Sequence, residues 1–147
     1  MTDTKSVDLS FDVPGDNFDR AGEASAKLKR TLQHIGVPAA VIRRIAIGSY
    51  EGEINLIIHA GGGQLQAKIY PEHTVVIITD QGPGIPDVKK AMEEGFSTAS
   101  EAARAMGFGA GMGLPNMYNC SDAFTIESRV GWGTIITMDF KHNNVKR

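Results

Sequence analysis

Hydrophobic and polar residues alternate at Val7, Leu9, Phe11 and Val13, the period of a half-buried strand that Pro14-Gly15 brings to an end. The period then changes. Ala21, Ala24, Leu28, Leu32 and Ile35 recur at helical spacing, predicting an amphipathic helix capped by Asp16 or Asn17 and stopped at Gly36. Pro38 is suited to open a second helix, about Ala39 to Ala60, whose apolar positions include Val41, Ile42, Ile45, Ile54 and Ile58; the triple glycine 61–63 terminates it. Leu65, Ala67 and Ile69 mark a second strand and Pro71-Glu72-His73 a turn. Thr74 to Thr79 is nearly all β-branched, the composition of a central strand. A short helix is expected over Asp87 to Glu94, then a long irregular stretch from Gly95 to Gly113, then a helix over Leu114 to Cys120. Phe124, Ile126 and Ser128 alternate, Gly131-Trp132-Gly133 turns, and Thr134 to Phe140 alternates again, which reads as a terminal hairpin with a frayed tail from Lys141 to Arg147. Strand and helix periods interleave, so the fold class is α/β.

The chain has 147 residues, the size of one ordinary domain, and residues 1–147 are expected to form one. Hydrophobic residues make up 41% and charged residues 22%, a globular and not a disordered balance. The formal net charge of −2 and the lack of a long basic run give no electrostatic reason to seek nucleic acid or an anionic membrane. No apolar run reaches the length of a membrane span, and no signal-peptide pattern follows Met1 to Ser6, so a cytoplasmic location is expected. The single cysteine, Cys120, excludes an intrachain disulfide and reads as a small core residue. Glycine stands out: there are 17, and twelve of them lie between Gly61 and Gly133. An irregular stretch as long as 95–113 inside a small domain is characteristic of a lid or binding loop.

Several nucleotide and catalytic signatures are missing. There is no GxxxxGK[ST] phosphate loop, no GxSxG elbow, and no His/Cys spacing for a metal. The run from Gly107 to Gly113 is GxGxGxG and follows a loop, which does not fit a dinucleotide fingerprint.

Three other pieces carry the chemistry. Glu51, Asn55 and His59 are spaced by four on the second helix, so a carboxylate, an amide and an imidazole share one stripe of an otherwise apolar helix. Asp80-Gln81-Gly82-Pro83-Gly84 follows the β-branched strand; an ionised aspartate only accepts hydrogen bonds, and at a strand end it suits an exocyclic amine such as that of adenine. The glycines Gly107, Gly109, Gly111 and Gly113 lead into a helix N-terminus, an arrangement whose backbone N–H groups favour anions. Alone, each has an ordinary reading: a solvated helix face, a turn, a flexible linker. Together, in this order, and with Gly133-Thr134 before the last strand, they resemble the gyrase and histidine-kinase ATPase superfamily, whose ATP site is the Bergerat fold. Glu51 and Asn55 match its N-box, Asp80 to Gly84 its DxGxG box, Gly107 to Gly113 its second glycine box, and Gly133-Thr134 its final Gly-Thr signature.

Within that superfamily the Glu-x-x-x-Asn-x-x-x-His pattern, the length and the lack of a preceding phosphoacceptor histidine are similar to the stand-alone anti-sigma-factor serine kinases and related switch kinases. The resemblance implies a two-layer α/β sandwich with a mixed, mostly antiparallel sheet and helices on one face. It implies ATP as cofactor with Mg²⁺ held by Asn55, Glu51 as general base, Asp80 on the adenine amine with Thr134 beside it, Gly82 and Gly84 along the ring, and Gly107, Gly109, Gly111 and Gly113 over the phosphates. Arg104 is a candidate for a γ-phosphate or partner contact. Glu53 lies about 200° around the helix from Glu51 and is assigned to packing or surface. The implied activity is protein serine/threonine phosphorylation by an anti-sigma or partner-switching regulator, acting on a sigma factor or a small antagonist protein. The resemblance is also compatible with a homodimer through the sheet edge near Val7 to Val13. A different class of function remains open at this point: a non-catalytic ATP- or ADP-sensing module whose lid recruits a partner. Two departures concern catalysis, Gly52 where the family more often has Ala, and Pro115 just after the glycine box.

Overall fold

The computed structural model describes residues 5–15, 18–93 and 113–143. Five strands form one sheet: β1 (Val7–Pro14), β2 (Gly62–Ile69), β3 (His73–Asp80), β4 (Ala123–Arg129) and β5 (Gly133–Lys141). The spatial order is β1-β2-β3-β5-β4 and all four pairings are antiparallel, which refines the expected mixed sheet to an antiparallel one. The β-branched strand β3 is central, as its composition requires. Period two decides the layers. Leu65, Ala67, Ile69, Val76, Ile78, Ile136, Met138 and Phe140 all point to one face and are buried there.

That face is covered by α1 (Glu23–Ile35), α2 (Ala39–His59) and α4 (Gly113–Cys120), with a one-turn α3 (Val88–Ala91) between β3 and α4. Leu28 and Leu32 of α1, with Val41, Ile45, Leu56 and Ile57 of α2, complete the core from the helical side. Arg44 pins the far end of α2. Its guanidinium donates to Cys120 O (3.0 Å) and Asp122 Oδ2 (3.2 Å) and lies over the Phe140 ring.

Three boundaries differ from the sequence reading. The first helix begins at Glu23 and not at a cap at Asp16 or Asn17, which lie outside the described residues. A 3₁₀ turn at Phe18–Arg20 precedes it, and Gly22, with φ of 93°, interrupts the helical path. Its cap comes from elsewhere: Glu53 of α2 accepts hydrogen bonds from the backbone N–H groups of Gly22 (3.1 Å), Ala24 (3.1 Å) and Ser25 (3.0 Å). The short helix expected over Asp87 to Glu94 is shorter, with Asp87 as N-cap accepting from Lys90 N at 3.0 Å. The tail does not fray at Lys141, which pairs with His73. Nor does it at His142, which is buried with Nε2 2.7 Å from Thr74 Oγ1. Cys120 is half-buried at the end of α4, where its Sγ donates to Met117 O at 3.5 Å.

Candidate functional site

α2 approaches the sheet unusually closely, and that closeness sets the site. A Cβ on Gly52 would lie 2.7 Å from two carbons of Ile78, and one on Gly48 would lie 2.9 Å from Met138 Sδ. Gly52 therefore lets α2 settle onto β3 at Ile78. The DxGxG loop lies against the C-terminal end of this helix, since the position of a Cβ on Gly82 is 2.8 Å from Ala60 O.

Asp80 ends β3, opposite Thr134 of β5 in the register. Its Oδ1 accepts from Gly82 N at 2.8 Å. Burial pushes the Asp80 carboxyl above the usual aspartate range, and N–H bonds from Gly82 and Thr134 only partly oppose this. A half-buried carboxylate that gains only a little from the protein is suited to an external donor. Thr134 is buried, and its hydroxyl is 2.8 Å from Ser128 Oγ. Ser128 Oγ also accepts from Ile85 N at 2.7 Å, so it ties the DxGxG loop to the terminal hairpin. Sequence reading missed Ser128, which looked like one more polar strand position.

Gly84 has φ of 80°, and a Cβ there would fall 2.1 Å from Arg129 O. Any larger residue would expel the hairpin backbone. Beside it, Gly131 N donates to Pro83 O at 2.9 Å. The need for glycine at 84 is thus set first by the protein's own packing.

The end of the second glycine box meets the helical stripe. Gly113, the first residue of α4, faces Asn55: a Cβ on Gly113 would be 3.1 Å from Asn55 Oδ1. One turn along, Asn116 Nδ2 donates to Glu51 Oε2 at 2.8 Å. Asn116 was also missed, because nothing in its spacing announces a partner 65 residues away. His59, the third member of the stripe, is largely buried, and burial lowers its imidazole below the ordinary histidine range. Gly107, Gly109, Gly111 and Arg104 lie outside the described residues, as does most of the stretch from 95 to 113. Glu53, assigned to packing or surface, is buried as the cap of α1.

One implied ligand, Mg²⁺, can be tested against this arrangement. Mg²⁺ prefers hard oxygen donors in an octahedron and usually keeps several waters and substrate phosphates. Asn55 Oδ1 is such a donor, and no cluster of three or more His, Cys, Asp or Glu side chains among the described residues forms a dedicated metal cage. The donor set therefore fits a cation brought in with phosphates. A cleft of about 210 Å³ between β1, α1 and α2 is lined by Phe11, Lys27 and Ile57 and includes neither Asn55 nor Asp80. No helix among the described residues is long and apolar enough to cross a membrane.

Residues 46–144 match the family described as histidine kinase-, DNA gyrase B-, and HSP90-like ATPase. The chain is 37% identical over 118 residues to the serine/threonine-protein kinase RsbT of Bacillus subtilis (strain 168), covering 77% of this chain and 83% of the relative. It is 32% identical over 118 residues to an anti-sigma F factor of Caldanaerobacter subterraneus subsp. tengcongensis, covering 78% and 75%. It is 31% identical over 146 residues to an anti-sigma F factor of Thermoanaerobacter sp. (strain X514), covering 94% of each chain. The chain belongs to this ATPase family.

Proposed function

From membership in this ATPase family, we propose that the chain is one domain that acts as an ATP- and Mg²⁺-dependent serine/threonine protein kinase in a partner-switching regulator, with a sigma factor or a small antagonist protein as its partner. The observation that carries the reading is convergence. Glu51 and Asn55 on α2, Asp80 at the end of β3 and Gly113 at the start of α4 come from three motifs distant in sequence. Gly82 lies against Ala60 and Gly113 against Asn55, so all four border the same end of α2. Relatives that bear the names of a serine/threonine-protein kinase and of anti-sigma F factors support the choice of substrate and partner class.

Asp80 accepts a hydrogen bond from the adenine amine beside those it takes from Gly82 and Thr134, and the Ser128–Thr134 pair holds the hairpin beside it. Asn55 Oδ1 holds Mg²⁺, which when bound neutralises charge on the phosphates. Gly107, Gly109, Gly111 and Gly113 close over the phosphates, and Arg104 is the candidate contact to the γ-phosphate or the partner. Glu51 accepts the proton of the partner's serine hydroxyl as its oxygen forms a bond to the γ-phosphorus and the bond to the β-phosphate oxygen breaks, releasing ADP. Phosphoryl transfer of this kind needs positioning and charge stabilisation more than covalent help from the enzyme. A general base of this type contributes roughly 10²–10⁴-fold.

The test has two stages. Calorimetric titration with ATP, ADP and a non-hydrolysable analogue, with and without Mg²⁺, should show binding that Mg²⁺ improves. γ-Labelled ATP supplied with candidate sigma-factor and antagonist proteins of the same cell should then label a partner serine or threonine. Glu51→Gln should keep binding and lose labelling. Binding that leaves every partner unlabelled would refute the kinase reading and favour the sensing module.

A further inference from the structure

We infer that Asn116 is a positioning residue for the base, and that the first turn of α4 acts on both working residues of α2 at once. The inference rests on the reading of Glu51 as general base. Two contacts carry it: Gly113 against Asn55 and Asn116 against Glu51. The helices run in opposite senses here, so residues three apart on α4 reach residues four apart on α2.

The chemistry of the second contact is directional. A carboxylate offers only acceptor sites, so the amide must present its NH₂ to Oε2. That bond fixes the torsion of a side chain that otherwise rotates about three bonds. It occupies one oxygen and leaves Oε1 as the proton acceptor. Both residues are half-buried, so the bond is partly shielded from competing water. Asn116 also sits three residues after the last glycine of the second glycine box. Any shift of α4 on nucleotide binding therefore moves Asn116 with Gly113, and the orientation of Glu51 becomes tied to occupancy of the phosphate site.

The experiment is a double-mutant cycle on the full chain. Single-turnover consumption of γ-labelled Mg-ATP is followed with and without the labelled partner protein, and ATP affinity is measured separately by calorimetry. Asn116→Leu should reduce the single-turnover rate about tenfold to a hundredfold, since a misplacement near 1 Å is enough for that, while changing ATP affinity less than about threefold. Asn116→Gln, which keeps an NH₂ donor, should recover part of the rate. In a Glu51→Gln background, Asn116→Leu should cause no further loss, because residues acting through one another are not additive. A full rate in Asn116→Leu, or an equal further loss when Glu51 is already replaced, overturns the assignment while leaving the kinase reading intact. If Glu51→Gln itself turns over normally, or the unaltered chain never consumes ATP, the base assignment fails and Asn116 falls with it. Circular dichroism of each variant identifies misfolding; should Asn116→Leu misfold, Asn116→Ser supplies the same comparison.

Discussion

Removing the Glu53 carboxylate should destabilise the protein markedly, because a buried group that caps a helix from a distance is lost. The side chain is only 2% exposed and accepts three backbone N–H bonds at 3.0–3.1 Å, from Gly22, Ala24 and Ser25. A helix whose preceding residue is glycine has no side-chain cap of its own, so these donors have no local alternative. Glu53→Ala leaves three buried or half-buried donors unpaired, and each costs about 1 kcal/mol or more when no acceptor replaces the lost one. The favourable interaction of an anion with a helix N-terminus adds up to ~1–2 kcal/mol. Relief from burying the charge returns part of this. A net loss of about 3 kcal/mol is expected, large beside a typical total stability of roughly 5–15 kcal/mol. Urea unfolding followed by far-ultraviolet circular dichroism reads it directly: with a slope of about 1–3 kcal/mol per molar, the midpoint should fall by on the order of 1–3 M. Glu53→Gln keeps one acceptor oxygen and should lose about half as much. A Glu53→Ala midpoint within about 0.3 M of the unaltered protein would refute the capping argument, since at an ordinary slope that is well under 1 kcal/mol.

Other expectations follow from single contacts. Ser49 Oγ is the buried side-chain polar atom without a hydrogen-bond partner among the described residues; Ser49→Ala should stabilise by about 1 kcal/mol and raise the melting temperature by roughly 2–4 °C in calorimetry. Gly84→Ala places a Cβ 2.1 Å from Arg129 O at φ of 80°, and should cost at least about 2 kcal/mol in the same scan. Because burial raises the Asp80 carboxyl, its contribution to stability is present below the unfolded value and is lost as pH rises through the folded one. Asp80→Asn should therefore leave the nucleotide-free protein no less stable at neutral pH, while ATP affinity measured by calorimetry drops about tenfold to a hundredfold for one lost charged hydrogen bond. His59 has the opposite sign: its imidazole is lowered by burial, so its contribution is present above the ordinary value of 6.5 and is lost as pH falls below it toward the folded value. Replacing His59 with Gln should flatten that part of the stability–pH curve.

The strands and the long helices were legible because their periods are strong. Val76, Ile78, Ile136 and Met138 carry period two through the centre of the sheet, and α2 runs from Ala39 to His59 against an expected Ala39 to Ala60. Boundaries set by non-local contacts were not legible. Nothing near Gly22 announces that a glutamate 31 residues later caps the helix, so Asp16 and Asn17, good caps by type, attracted the assignment. His142 looked like tail, because its partners Thr74 and Pro71 lie across the sheet end. The motif residues on α2, at the end of β3 and at Thr134 could be named from spacing and brought together only by the fold. Asn116 belongs to no motif and Ser128 reads only as a strand position; the partners of both emerge only from distance.

α2 shows why structure and chemistry can share one helix without interfering. Steps of four keep Glu51 and Asn55 on one stripe, while the 200° between Glu51 and Glu53 turns the second carboxylate toward α1. Gly48 and Gly52 lie on the sheet side, where their missing Cβ atoms let the helix sit against Ile78 and Met138. An alanine at 52 would gain roughly 1 kcal/mol of helix propensity, yet overpacking of about 1–3 kcal/mol against Ile78 would offset it. The more important consequence is geometric. Pushing α2 off β3 would move Asn55 and Glu51 away from Asp80 and break up the site proposed for the nucleotide. Gly52, where the family more often has Ala, is the close contact that sets the height of α2 above the Asp80 end of the sheet.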